Sequence, residues 1–283
     1  MLESKSANSI SVAIVCYHTP KVELALLLDS LLAALRNVQS LMSGLSASIY
    51  FIDNSEETTL NFEFLDEYKS RFTAEGIELR VIHGHGNIGY GSAHNIAIDK
   101  TDASYHLLMN PDVVLDETSL FRGIEYLAAN DKVIIISPSA ADPAGNKQYL
   151  CKRYPSLFTF FVRGFIPGFM KGLFRNRLAR FEMRELSESK PGQDIPIVSG
   201  CFMLCKTPAL KELNGFDEKY FLYFEDFDLS MRATKIGRLD YLPSMKIIHG
   251  GGNAARKGFS HLAMFTRSAW RFFGTHGWKV FRQ

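Results

Sequence analysis

Short β-branched runs alternate with helical patterns over the first half of the chain, and this alternation limits the possible folds more than any other feature. The runs predict buried strands at 10–16, 48–52, 77–82, 105–109 and 133–137. Helical patterns separate them at 21–36, 62–72, 92–99 and 118–129. Repeated β-α units of this kind predict an α/β fold with a mainly parallel sheet and right-handed crossovers.

The composition fits one large globular domain, or a domain with an appendage. The 283 residues are 46% hydrophobic and 22% charged, and the net charge of +2 gives no indication of nucleic-acid binding. None of the four cysteines forms a C-x-x-C pair, so we expect free thiols in a reducing compartment. Residues 1–11 lack an apolar signal-peptide core, and without a run of about twenty apolar residues we expect no transmembrane helix.

The carboxyl ends of two predicted strands carry aspartates. Asp53 follows the second strand, and Asp112 follows the fourth in the sequence Asn110-Pro111-Asp112. Pro111 cannot donate to a sheet, so it ends the strand, and open α/β sheets bind ligands at this edge. A carboxylate there can hold a hard cation, and the cation can hold a diphosphate. Asn-Pro-Asp is also a common turn sequence, and by itself it leaves both interpretations open.

A glycine loop follows the third predicted strand and precedes a helix. The residues from Gly84 to Gly89 match the G-x-G-x-x-G pattern of dinucleotide-binding enzymes, and Asp112 lies at a suitable distance for a ribose-binding acid. That pattern normally opens the first β-α-β unit, whereas this loop follows the third strand. A loop through which the backbone approaches a nucleotide diphosphate explains the glycines equally well.

Two adjacent acids open a helical pattern in the C-terminal half. Glu225 and Asp226 follow an aromatic run. Apolar walls raise the pKa of carboxyl groups enough for general-base work, although acids at helix N-termini are also common for helix stability alone. Asp228 and Arg232 lie four residues apart and are expected to pair, which leaves Asp226 free. His249 precedes three glycines, and its imidazole suits Mn²⁺.

Beyond residue 137 the β-α pattern is less regular. We expect Thr207 to cap a short helix, and 239–242 and 246–248 to form two short strands. The segments 152–184 and 259–281 both mix phenylalanines with basic residues. Such segments either lie on anionic membrane surfaces or cover a core with their arginines solvated.

Five motifs occur in a characteristic order and spacing: Asp53, 86–95, 110–113, 199–203 and 221–232. Together they resemble family 2 glycosyltransferases of the GT-A fold, and most of all bacterial rhamnosyltransferases of polysaccharide assembly. The resemblance covers residues 10–249. Two positions depart from the pattern. Asn110 replaces the first acid of the commoner D-x-D motif, and His18 stands where asparagine is common.

The resemblance implies roles for individual residues. The nucleotide sugar would be bound by Tyr17, Asp53, Asn87, Gly89, Asn95, Asn110 and Arg256. The pocket for the acceptor and the donor sugar would be lined by Gly200 and Tyr223. Asp112 and His249 would hold a divalent cation, Mg²⁺ or Mn²⁺. Asp226 would be the catalytic base, with Glu225 beside it.

The implied activity is an inverting, metal-dependent sugar transfer. L-Rhamnose from dTDP-L-rhamnose would move to a glycan or lipid-linked glycan acceptor in cell-surface polysaccharide synthesis. The implied organisation is a GT-A domain, 1–258, with a nucleotide-sugar half, 1–137, an acceptor half, 138–258, and an amphipathic helical tail, 259–283. We expect a cytoplasmic protein, peripheral on the inner face of the cytoplasmic membrane. A dinucleotide-dependent oxidoreductase and a non-catalytic glycan- or nucleotide-binding module remain open alternatives.

Overall fold

The computed structural model describes residues 9–56, 62–251 and 259–281. The strands are β1 Ser9–Cys16, β2 Ser46–Asp53, β3 Glu78–Ile82, β4 Tyr105–Met109, β5 Val113–Leu115, β6 Val133–Ala141, β7 Lys147–Gln148, β8 Cys151–Lys152, β9 Ile197–Val198, β10 Phe202–Lys206 and β11 Arg238–His249. The helices are α1 Lys21–Leu41, α2 Phe62–Ala74, α3 Tyr90–Lys100, α4 Ser119–Ala129, α5 Leu157–Phe165, α6 Arg175–Phe181, α7 Thr207–Glu212, α8 Glu225–Ala233 and α9 Phe259–His276, with a 3₁₀ segment at Gly168–Phe174.

One central sheet runs in the order β3-β2-β1-β4-β10-β6-β11-β5, and β7 pairs with β6. The half formed by β3, β2, β1 and β4 is parallel, as the β-α pattern predicts. The other half is mixed, because β10 inserts antiparallel between β4 and β6. β11 runs parallel to β6, and β5 runs antiparallel to β11. The two short strands predicted at 239–242 and 246–248 are one strand, β11, with a register shift between Leu242 and Lys246.

The leucine face of α1 packs in the core of the sheet. Six leucines between residues 21 and 36 recur at helical spacing and are all at most 4% exposed, namely Leu24, Leu27, Leu28, Leu31, Leu32 and Leu35. Burial of each side chain stabilises the fold by about 1.5–3 kcal/mol. Within the described ranges, α1 is the helix whose length and apolar character would suffice to cross a membrane, although none was expected. The same leucine spacing that makes α1 apolar also places its apolar face in the core of the sheet. All four cysteines are free, as predicted, and all four are buried.

An aromatic core joins α5, α8 and α9. Phe272 and Phe273 of α9 are fully buried, and Phe160 of α5 packs edge-on against Phe273 and Phe224. The same region contains the predicted ion pair of α8, in which Arg232 Nε lies 2.7 Å from Asp228 Oδ2. The other oxygen, Asp228 Oδ1, lies 2.8 Å from His276 Nε2, so the last turn of α9 is fixed on α8.

Two expectations for the second half need revision. Thr207 is the first residue of α7, and Lys206 holds the cap position. The buried hydroxyl of Thr207 has no hydrogen-bond partner among the described residues, so it caps no backbone N–H. The segment 152–184 is partly core and partly surface. Val162 and Phe181 are fully buried, whereas Phe169 and Leu173 are 87% and 79% exposed.

Candidate active site

The end of β4 and the end of β11 meet at one edge of the sheet. Chain reversal through Asn110-Pro111-Asp112 leads into β5, in which Val113 pairs with His249. This pairing places His249 Nε2 3.5 Å from Asp112 Oδ1. Gly250 N donates to Asp112 O at 2.9 Å and closes the turn on the other side. The structure therefore brings together the two predicted metal ligands.

The side-chain amide of Gln148 contacts both the imidazole and the backbone carbonyl of His249. Gln148 Oε1 lies 2.8 Å from His249 Nδ1, and Gln148 Nε2 donates to His249 O at 3.0 Å. Because an amide oxygen only accepts, Nδ1 carries the proton and the lone pair is on Nε2, which faces Asp112. Metal-binding histidines are oriented by such contacts. Gln148 was not predicted as a site residue, since it lies in a two-residue strand far from either ligand in sequence.

The spacing of Asp112 and His249 fits a divalent cation. Two ligand atoms about 2.1 Å from one ion are roughly 3.0–3.5 Å apart for bond angles between a right angle and a tetrahedral angle. Across the described ranges, no cluster of three or more His, Cys, Asp or Glu side chains offers a complete protein site. Two protein ligands leave the remaining positions to water and substrate oxygens, which is how Mg²⁺ is usually bound.

A strained turn presents the acid pair at the start of α8. Tyr223 and Phe224 both have left-handed backbones, with φ of 69° and 66°, and each such residue costs about 1–3 kcal/mol. The turn directs Asp226 to the sheet, where Gly200 N donates to its Oδ2 at 2.9 Å. Phe227 N donates to Oδ1 at 2.9 Å. Both carboxylate oxygens are therefore fixed by backbone N–H groups.

The acid pair and the metal-ligand pair share one backbone frame. Gly200 holds Asp226, and the next residue, Cys201, accepts a 2.9 Å hydrogen bond from Asn110 N, two residues before Asp112. A side chain on Gly200 would place its Cβ 3.2 Å from Asp226 Cβ, so only glycine fits without displacement. Asn110 contributes its backbone to this frame.

Burial controls the protonation of the acids. Burial first, and then the neighbouring charge of Asp226, raises the pKa of Glu225 to about 8. Glu225 Oε2 is buried without a hydrogen-bond partner in the described part of the chain. Burial also raises the pKa of Asp226, although the N–H groups of Gly200 and Phe227 oppose it. At neutral pH, Glu225 is therefore the member of the pair that keeps its proton.

Tyr90 lies among all the acids of the site, and sequence reasoning assigned it no role. Its hydroxyl donates to Gly200 O at 2.6 Å. Burial raises the pKa of this phenol well above its ordinary value, and Cys201, Glu225, Asp226 and Asp112 raise it further. Tyr90 thus stays neutral, and its hydroxyl group holds the backbone carbonyl of Gly200 in place. The only sequence signal was its place in the motif at 86–95.

The predicted nucleotide residues lie at the carboxyl ends of β1 and β2 and at the start of α3. Asp53 is buried and accepts from Ser55 N at 3.1 Å, whereas Tyr17 is 49% exposed. Gly89 precedes α3 with φ of 90°, and a Cβ there would lie 2.5 Å from Phe221 O. Asn87 Oδ1 accepts from Gly89 N at 3.2 Å and so supports this turn.

The loop from Gly84 to Gly89 does not have the place of a dinucleotide fingerprint. It follows β3, the edge strand of the sheet, whereas the fingerprint follows the first strand of its β-α-β unit. Gly84 and Gly86 have positive φ, but side chains there would meet open space. These glycines serve the turn, and Gly89 alone permits a close backbone approach.

Two other predicted residues contact more distant parts of the described chain. The amide of Asn95 accepts from Phe216 N at 2.8 Å and donates to Phe216 O at 2.9 Å, so it holds the turn that follows α7. Its other face lines, with Asn87, a groove of about 530 Å³. Tyr223 directs its hydroxyl to His261 Nδ1, 3.0 Å away on α9. Arg256 lies outside the described residues.

A mixed sheet with an Asp-His pair and an adjacent carboxylate pair at its edge has the architecture of the GT-A fold of glycosyltransferases. The glycosyl transferase family 2 model matches residues 11–213, and the chain belongs to this family. Enzymes of this fold commonly use divalent cations.

Three known proteins illustrate the similarity. The rhamnosyltransferase WbbL of Escherichia coli K12 is 28% identical over 184 residues, 62% of this chain and 66% of the relative. The N-acetylglucosaminyl-diphospho-decaprenol L-rhamnosyltransferase of Mycobacterium tuberculosis H37Rv is 28% identical over 215 residues, 71% of this chain and 69% of the relative. About a third of each relative lies outside the match.

The solved structure of GalNAc-T7 with UDP, GalNAc and Mn²⁺ has a TM-score of 0.59 to this chain. It is 15% identical and covers 86% of this chain and 44% of that one. At this identity the likeness shows the fold alone.

Proposed function

We propose that the chain is an inverting, metal-dependent rhamnosyltransferase that uses dTDP-L-rhamnose. The observation that carries the proposal is the placement of Asp226, which is half-buried, fixed by Gly200 N–H and joined through Cys201 and Asn110 to Asp112. The names of the two relatives from Escherichia coli and Mycobacterium tuberculosis support rhamnose as the transferred sugar. The dinucleotide alternative is not favoured, because its glycine loop lies at the sheet edge.

Asp226 acts as the general base. It takes the proton of the acceptor hydroxyl, and the hydroxyl oxygen attacks the anomeric carbon from the side opposite the diphosphate. The new glycosidic bond forms as the bond to the diphosphate breaks, so one displacement inverts the configuration. The N–H groups of Gly200 and Phe227 keep the carboxylate oriented. Glu225 remains protonated, so the acid pair carries a single negative charge.

Asp112 and His249 would hold the cation, Mg²⁺ or Mn²⁺, in this proposal. A divalent ion bound to them would supply positive charge that stabilises the departing diphosphate. Gln148 keeps the Nε2 lone pair of His249 facing Asp112. Tyr17 and Asp53 take the nucleotide base, and Asn87 and Gly89 line the donor site, within a nucleotide-sugar half at 1–137 and an acceptor half at 138–258.

The acceptor is a glycan or lipid-linked glycan, and the protein works on the inner face of the cytoplasmic membrane. The segment 152–184, which mixes basic and aromatic residues, and the residues after α9 form one surface. Leu157 N donates to Lys279 O, and Phe158 N donates to Val280 O. Exposed apolar side chains there include Phe169, Leu173 and Phe281, and basic neighbours meet anionic lipid at about 1 kcal/mol each.

Liposome flotation tests the membrane part of the proposal. The variant with Phe169→Ser and Leu173→Ser should lose binding to anionic liposomes, because both side chains are exposed and the fold does not need them. Leu41→Ser, at the exposed end of α1, is the matched control. Equal flotation of the double variant and the wild type would remove this surface from the proposal.

Calorimetry tests the enzymatic part. dTDP-L-rhamnose should bind in the presence of Mg²⁺ or Mn²⁺ and not in their absence, whereas NADPH should not bind. Product analysis with a glycan acceptor should then show an inverted anomeric linkage. Binding of NADPH without binding of dTDP would refute the proposal.

A further inference from the structure

The turn that presents the acid pair is held between two helices. Tyr90 N, at the start of α3, donates to Phe221 O at 3.1 Å. The next carbonyl, Leu222 O, accepts a 2.8 Å hydrogen bond from Ser268 Oγ of α9. The two residues with left-handed backbones follow directly, and such a conformation persists only where the surrounding structure fixes it. The contacts of α9 are therefore part of what fixes the acid pair.

Three residues on one face of α9 contact the chain on both sides of the acid pair. Ser268, Phe272 and His276 are four residues apart, so they form a row with steps of about 6 Å along the helix axis. Their partners follow in the same order along the chain and enclose the acid pair: Leu222, Phe224 and Asp228. The row on α9 thus runs alongside the turn and the first turn of α8.

The contacts of this row are buried. Phe272 is fully buried, and the centre of its ring lies 5.3 Å from that of Phe224. Ser268 is buried, as are the side chains of His276 and Asp228. Because these hydrogen bonds are shielded from water, a partner left alone there pays the full cost of its desolvation. Each contact therefore holds the turn more firmly than an exposed contact would.

His276 holds α8 through a charged acceptor. Burial raises the pKa of Asp228, but hydrogen bonds from His276 and Arg232 outweigh it and keep this pKa below its ordinary value. Because a carboxylate only accepts, His276 Nε2 is the donor of the 2.8 Å contact to Asp228 Oδ1. Hydrogen bonds to a charged group are stronger than neutral ones. Asp226 lies in the same helical turn as Asp228, so this contact fixes the backbone that carries Asp226.

We propose that Ser268 and His276 are positioning residues for the general base. They act on the chain before and after Asp226, and so they hold its carboxylate where the N–H groups of Gly200 and Phe227 bind it. This inference rests on the proposed function, in which Asp226 is the base. It adds to the reaction a helix that lies outside the part of the chain matched by the family model.

Amide hydrogen exchange measured by NMR tests the positioning. The Gly200 amide is buried and donates to Asp226, so it should exchange slowly in the wild type. Ser268→Ala and His276→Leu should each accelerate this exchange about tenfold or more relative to the amides of the interior strand β1. A loss of global stability alone would accelerate exchange in β1 at least as much, so the ratio of the two rates isolates the effect at the site.

Conservative variants and a control separate positioning from helix stability. Ser268→Thr keeps the hydroxyl and His276→Gln keeps an N–H donor, so both should retain the wild-type ratio of exchange rates. Thr266→Ala removes a hydroxyl that donates to Leu262 O on the exposed face of α9, and it should leave the ratio unchanged.

Three results of the exchange experiment would overturn the proposal. The first is an unchanged ratio in both Ser268→Ala and His276→Leu. The second is an equal change in Thr266→Ala, because any loss of a hydroxyl from α9 would then have the same effect. The third is failure of both conservative variants to retain the ratio, because the hydrogen bonds would then not be the cause. If one of the two disruptive variants does not fold, the other decides.

Turnover separates this inference from the proposed function. With dTDP-L-rhamnose, Mn²⁺ and a glycan acceptor, Ser268→Ala and His276→Leu should lower kcat about ten- to a hundredfold and leave the affinity for dTDP unchanged, as expected for a misplaced base. Normal turnover of Asp226→Asn would refute the proposed base and this inference with it. Slow turnover of Asp226→Asn, together with unchanged exchange and turnover in both α9 variants, would refute the inference alone.

Discussion

Glu225→Gln should stabilise the protein at alkaline pH and leave its stability unchanged in acid. The folded chain holds the pKa of Glu225 at about 8, above the ordinary value of 4.5 that applies after unfolding. The unfolded state therefore releases this proton first as the pH rises. Stability that is fully present below pH 4.5 is lost progressively up to pH 8. Glutamine resembles the protonated acid and cannot lose a proton, so the variant escapes this loss.

The difference between the folded and unfolded pKa values of Glu225 determines how much stability is lost. At about 1.4 kcal/mol per pH unit, the loss in the free energy of unfolding has an upper limit of about 5 kcal/mol. Between pH 5 and pH 8, the variant should gain about 3–4 kcal/mol over the wild type. Glu225 is only 6% exposed, so solvent does not screen the effect. Burial is the leading cause, and the charge of Asp226 is the second.

Urea unfolding at pH 5 and pH 8 measures this difference. Glu78→Gln is the control. Arg80 lowers the pKa of that exposed carboxyl from its ordinary value of 4.5, so its pH effect lies below that value, and the variant should change the free energy of unfolding almost equally at pH 5 and pH 8. If Glu225→Gln changes the free energy of unfolding equally at both pH values, the carboxyl is not held protonated by burial and the reasoning fails.

Predictions for variants at three positions of the site follow from the same geometry. Asp226→Asn should lower kcat by about two to four powers of ten with donor affinity unchanged, as expected for loss of a general base, and a larger loss in Glu225→Gln would reverse the two roles. Asp112→Asn should abolish Mn²⁺-dependent dTDP binding in calorimetry and leave the melting temperature unchanged. Normal turnover of this variant would show that Asp112 is only a turn residue. Gln148→Lys should weaken Mn²⁺ binding about 10–100-fold, because a hydrogen-bond donor at this position moves the His249 proton from Nδ1 to Nε2. Gln148→Glu keeps an acceptor there and should retain Mn²⁺ binding. Equal Mn²⁺ affinity in the two variants would contradict the assigned tautomer.

Local sequence patterns specify much of the fold and part of the site. The leucine periodicity of 21–36 predicts α1 and its buried face, because helix period and burial are set by neighbours within one or two turns. Asp112 falls at the end of β4 because Pro111 ends that strand. Glu225 and Asp226 begin α8 as predicted from an aromatic run followed by helical spacing.

The roles of individual side chains were less predictable where their partners are remote. Asn95 was assigned to the nucleotide-sugar site from its place in a motif, yet its amide is engaged by the backbone of Phe216. Tyr90 and Gln148 carry no local signal of their own. Each acts by a contact to a residue about a hundred positions away, Gly200 and His249, and a pattern within a short window does not contain such a partner.

The sequence alone determined the β-α order, the positions of the acids at the ends of elements and the family, because these depend on residues close together in the chain. Only the tertiary structure decided which ends meet. Insertion of β10 beside β4 brings Cys201 to Asn110, with Gly200 next to it held on Asp226 of α8, and pairing of β5 with β11 brings His249 to Asp112. The physical reason is that the register between distant strands is fixed by packing and pairing of the whole sheet, and local propensity carries no information about it.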